Sequence, residues 1–122
     1  MLDCLAVALG GALGSVIRYL IGLIPLKEQT LFPLKTFIIN VLGCFVIGLI
    51  AALSLKSSNL NPRLVLFLKV GICGGFTTFS TFALENSNLL KNGHLGIAVL
   101  YMLLSIAVGI GFILLSELII KK

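Results

Sequence analysis

Apolar residues fill four long stretches of this chain, separated by short polar connectors. The stretches run from about Leu2 to Ile24, Leu34 to Leu55, Arg63 to Leu90 and Leu95 to Ile120. None alternates apolar and polar positions as a half-buried strand does, which argues against an outer-membrane barrel. At a rise of about 1.5 Å per residue, each stretch is long enough to cross a hydrocarbon layer of roughly 30 Å. The pattern predicts an all-α integral membrane protein, one domain over residues 1–122, with four transmembrane helices. The connectors, Pro25 to Thr30, Lys56 to Pro62 and Lys91 to His94, carry turn chemistry.

Composition agrees with the pattern. Of 122 residues, 59% are hydrophobic and 11% charged, with a mean hydropathy of +1.20. A water-soluble domain of this size has too little polar surface to cover such a chain. The net charge of +5 does not indicate a nucleic-acid partner, because the basic residues are scattered, with no basic arm. The lead-in to the first stretch carries Asp3 and no Lys or Arg, so that stretch is expected to persist as a mature helix rather than a cleaved signal. Cys4, Cys44 and Cys73 have no metal-ligand spacing and read as small packing residues, and His94 as a solvated connector residue. No nucleophile–base pair or metal cluster stands out, so an enzyme is not expected.

One stretch breaks the apolar pattern. Gly71 to Phe82 holds three glycines and four hydroxyl side chains in twelve residues. Glycine loosens a helix and Ser/Thr hydroxyls compete for its backbone. In hydrocarbon such a run is tolerated where it is buried in protein or lines a polar cavity. The third helix is therefore expected to break near Gly74–Thr77, with Gly74-Gly75 the favoured point. A break exposes carbonyls, and those of Gly74 to Thr77 suit a small cation such as Na⁺, since no carboxylate lies close in sequence. A kink closed by Ser/Thr side chains is the plainer alternative.

Other polar groups fall inside the apolar stretches and each needs a reason. Asn40 is either glue between helices or a donor to an anion, and shares a helical face with Thr36 and Gly43. Phe79 and Phe82 share a face at i, i+3; they are packing rings, or ring edges whose positive rim lines an anion path beside Ser80 and Thr81. Tyr101 and Ser105 put two hydroxyls on one stripe of the fourth helix. Arg18 either snorkels to the interface or gives positive potential to a vestibule. Glu85 is expected to be interfacial or to accept from Thr78 or Thr81. Gly10 and Gly14, and the pairs Ser105/Gly109 and Ala107/Gly111, permit close helix approach.

Positive charge is balanced across the membrane. One side has Lys56, Arg63, Lys69, Lys121 and Lys122; the other has Arg18, Lys27, Lys35 and Lys91. The positive-inside rule selects no orientation. Either other signals decide, or the chain inserts both ways and pairs antiparallel as a dual-topology homodimer.

The blocks Gly10 to Tyr19, Asn40 to Gly48 and above all Gly74 to Phe82 resemble the Fluc/CrcB fluoride channels, and the resemblance covers the whole chain. It departs at Ser15, Lys35 and Cys44, none in the third block. The resemblance implies a dual-topology antiparallel homodimer in the cell inner (plasma) membrane with two fluoride pores, exporting toxic fluoride passively. It implies pore roles for Asn40, Phe79, Phe82, Ser80, Thr81, Tyr101 and Ser105. It also implies a structural, non-transported Na⁺ on the backbone carbonyls of Gly74 and Thr77. The alternative reading is a small dual-topology proton-coupled exporter, which needs a membrane-embedded carboxylate that the first two helices lack.

Overall fold

A computed structural model describes residues 1–25 and 31–121. Most of the first connector, with Lys27, and the terminal Lys122 lie outside the described residues. Among the described residues all regular structure is helical, and four segments are long and apolar enough to span a membrane. The helices are α1 (Leu2–Gly22), α2 (Leu34–Lys56), α3 (Pro62–Val65), a π-helical stretch (Leu66–Cys73), α4 (Gly74–Phe76), α5 (Phe79–Lys91) and α6 (Leu95–Lys121). Pro62 to Lys91 form one bent spanning segment.

Local chemistry sets the ends. Asn61 starts the bent segment: its Oδ1 accepts from Arg63 N at 2.9 Å, and Pro62 takes the first helical position, where a missing N–H does no harm. The segment ends at Gly93, the described residue with positive φ (81°). There His94 N reaches Leu89 O at 2.8 Å and Gly93 N reaches Leu90 O at 3.2 Å. These two bonds close the last carbonyls around a left-handed glycine. In π-helix each turn takes up more residues than in α-helix, so residues 66–73 advance less along the axis than their number suggests.

The helices pack in two pairs, α1 along the first half of the bent segment and α2 along α6. Small residues make the first pairing possible. A Cβ on Gly10 would collide with the Phe67 carbonyl oxygen and sit 2.9 Å from Gly71 Cα; one on Gly75 would sit 3.0 Å from Gly11 Cα. The obstacles are backbone and cannot swing aside, so these glycines serve close approach. Gly10→Ala is accordingly expected to lower stability by about 1–3 kcal/mol, read as an earlier thermal transition in detergent. In the second pairing Gly48 meets Ser116 and Ile113, and Gly109 meets Cys44 Sγ. Outward-facing residues of α6 such as Leu100, Leu103 and Ile110 remain more than half exposed, as a lipid-facing helix requires.

An aromatic cluster joins the pairs near the first and third connectors. Tyr101, Leu89 and Ala98 are buried, packed by Phe32, Phe37 and Phe82. Phe32 meets Tyr101 edge-on at 5.2 Å and Phe37 at 5.5 Å.

A polar bend beside an apolar cavity

The bend falls at Thr77 and Thr78, not at the glycines. Gly74 has helical angles (φ −63°, ψ −37°), and helix continues to Phe76. Thr77 (φ −84°, ψ 158°) and Thr78 (φ −150°, ψ 119°) are extended, and helix resumes at Phe79. Every polar group freed here needs a partner in the membrane. The N–H of Thr78, which a continuous helix would direct to the Gly74 carbonyl, donates instead to Asn40 Oδ1 at 2.9 Å. Asn40 Nδ2 donates back to the Thr78 carbonyl at 3.2 Å. One side-chain amide on α2 thus stands in for a backbone partner of Thr78 on both its donor and its acceptor. Thr77 N and Oγ1 both donate to Cys73 O, at 3.0 and 2.8 Å. Thr78 Oγ1 caps α5 by accepting from Thr81 N at 3.2 Å. Arg18 does not turn outward to the interface: its Nε donates to the Gly75 carbonyl at 3.3 Å.

Beside the bend lies a cavity of about 470 Å³. It is lined by Asn40, Gly43 and Cys44 from α2, Thr77, Thr78, Phe79 and Phe82 from the bend, and Ser105 from α6, among others. Phe79 is 80% exposed, and its ring centre stands 5.9 Å from that of Phe82 at 42°. Phe82 in turn meets Tyr101 edge-on at 4.9 Å. Ser105 Oγ is buried and has no hydrogen-bond partner among the described residues. The cavity therefore gathers Asn40, Phe79, Phe82 and Ser105 of the residues singled out above. Ser80 and Thr81 fall outside its lining; Ser80 Oγ lies 3.4 Å from Thr78 Oγ1. Tyr101 is fully buried and its hydroxyl points elsewhere.

That hydroxyl donates to Glu85, where the expectation needs correcting. Glu85 accepts from neither Thr78 nor Thr81. Its Oε1 accepts from Tyr101 OH and its Oε2 from Thr36 Oγ1, each at 2.8 Å. Three spanning segments so converge on one carboxylate. Thr36 was placed by helical spacing on the Asn40 face, but its partner lies 49 residues away and leaves no local trace. One turn past Phe82, Asn86 is 6% exposed and donates to the Phe82 carbonyl at 3.0 Å.

The segments and the cavity define a multi-pass membrane protein with a polar bend at its centre. Comparison with known sequences narrows that class. The family described as CrcB-like protein, Camphor Resistance (CrcB), matches residues 5–116. A protein of Azobacteroides pseudotrichonymphae named fluoride-specific ion channel FluC is 43% identical over 111 residues, covering 90% of this chain and 89% of the relative. Proteins of the same name from Flavobacterium psychrophilum and Prosthecochloris aestuarii are 46% and 48% identical, covering 92% of this chain and 95% and 88% of their own lengths. The chain belongs to the CrcB family.

Proposed function

We propose that this protein is a fluoride-selective passive channel of the cell inner membrane that lets cytoplasmic fluoride out and so limits its toxicity. The observation carrying the reading is one cavity holding Asn40, Phe79, Phe82 and Ser105 in a chain whose relatives are named fluoride-specific channels. A small, strongly hydrated anion needs donors and positive ring rims in place of its water, and negative charge kept away. Phe79 and Phe82 supply the rims and Ser105 a hydroxyl, with Ser80 and Thr81 continuing the polar track. Tyr101 contributes by fixing Phe82 and holding Glu85.

The third helix acts as two half-helices in this reading, and the chain as a dual-topology antiparallel homodimer with two pores. Balanced positive charge on the two sides supports that arrangement. The backbone also suits a structural Na⁺: the Gly74 carbonyl is relieved of its usual amide by Asn40, and Thr77 stands at a helix end. The carbonyls of Gly74 and Thr77 would hold the ion. Bound there, the ion would supply fixed positive charge to those carbonyls and would not itself be carried.

The test is ion efflux from liposomes holding the purified protein. Fluoride is expected to leave in response to a membrane potential with no proton gradient imposed, and chloride far more slowly. Equal chloride flux would defeat the selectivity. A proton-coupled exporter remains the second reading because Glu85 is a carboxylate inside a spanning segment; fluoride efflux that needs an imposed pH gradient would favour it.

A further inference from the structure

Most cations of the described chain have a settled place. Arg63 pairs with Asp3 at 3.0 Å. Lys56 donates to Ile120 O, Lys35 to Gly22 O and Arg18 to Gly75 O. Lys91 and Lys121 sit in the last turns of their helices, where a cation favours the helix end. Lys69 is different. It lies seven residues past Pro62, inside the bent spanning segment, and it is exposed. Among the described residues it has no hydrogen-bond or ion-pair partner. Among the described residues the acids are committed elsewhere or distant: Asp3 to Arg63, Glu85 to Thr36 and Tyr101, and Glu117 beside Lys56 and Lys121 in a separate cavity.

An unpartnered ammonium is costly against lipid, and intramembrane charges face water or protein. Lys69, Gly74, Phe79 and Ser80 are exposed, whereas Gly71 and Cys73 are buried. A Cβ on Gly74 would meet nothing within 4 Å. Cys73, four residues past Lys69, lines the cavity together with Phe79. Exposed positions thus recur from Lys69 through Gly74 to Phe79, which lines the cavity that the anion is to enter.

We propose that Lys69 is an anion-recruiting residue. Its ammonium sits in water at the approach to the cavity and raises the local fluoride concentration there, before the ion exchanges its hydration for Ser105 and the phenylalanine rims. A single cation at a low-dielectric mouth focuses its field along the path and speeds entry in a way that salt suppresses. The inference rests on the channel reading and adds to it a residue outside the cavity lining.

The test uses the full-length protein in zwitterionic liposomes, comparing native protein with Lys69→Gln, Lys69→Met and Lys69→Arg at low and high ionic strength, with assembly checked by size exclusion. At low ionic strength Lys69→Gln and Lys69→Met are expected to slow fluoride efflux by roughly fivefold, with the gap closing at high ionic strength; Lys69→Arg keeps the native rate. Lys69→Met retains the apolar stem and carries the test should Lys69→Gln fail to assemble. Uncharged variants as fast as native protein at low ionic strength overturn the inference and make Lys69 a lipid-facing anchor. A loss that persists at high ionic strength, or an equal loss in Lys69→Arg, overturns it too, because shape would then carry the effect. Native protein passing no fluoride defeats the channel reading itself, and the inference with it.

Discussion

Phe82→Ile is expected to cut fluoride efflux by roughly a hundredfold, about 2.7 kcal/mol added to the barrier, while the assembled protein elutes as before. Isoleucine fills much of the same volume but has no quadrupole. Phe82 lines the cavity, lies 5.9 Å from Phe79 and packs edge-on against Tyr101 at 4.9 Å, and the channel reading gives its ring rim to the ion. Loss of the positive rim removes an attraction to the anion and leaves an apolar wall that opposes its dehydration. Flux equal to that of native protein would show that Phe82 is packing alone. The contact with Tyr101 makes stability a necessary second readout, since a repacked cluster would also disturb Glu85.

Asn40→Leu is expected to damage both stability and flux. Leucine keeps asparagine's branching but strands the Thr78 N–H and carbonyl, which Asn40 now holds at 2.9 and 3.2 Å. Two buried backbone groups without partners cost about 2–4 kcal/mol together. The thermal transition followed by circular dichroism in detergent should fall well below that of native protein, and liposome flux should be lost. An Asn40→Leu protein as stable as the native one would mean that the bend does not depend on this amide.

Much of the architecture was legible from the chain because spanning length and hydropathy are local properties. Leu34–Lys56 and Leu95–Lys121 emerge from uninterrupted apolar runs, and Gly93 marks a helix end by residue type. The bend was legible as to its segment but not its residue. Gly75 looked like the break because glycine loosens helices; it is there because α1 passes too close for a Cβ. The extended residues are threonines, and the amide of the second, Thr78, is drawn off by Asn40 from 38 residues away. The Glu85 network was hidden for the same reason: its donors sit on two other helices, at separations of 49 and 16 residues. The π-helical stretch, which packs along α1, has no residue signature.

Ser105 has a consequence for speed. Around the cavity nearly every polar group is already committed: Asn40 to Thr78, the Thr77 hydroxyl to Cys73, the Thr78 hydroxyl to the start of α5. Ser105 Oγ has no such engagement. In the channel reading, an ion in that space meets few uncommitted donors and much hydrocarbon, so no deep energy well holds it. Residence should be brief and occupancy low, and rate should keep rising with concentration where a tight binding site would saturate.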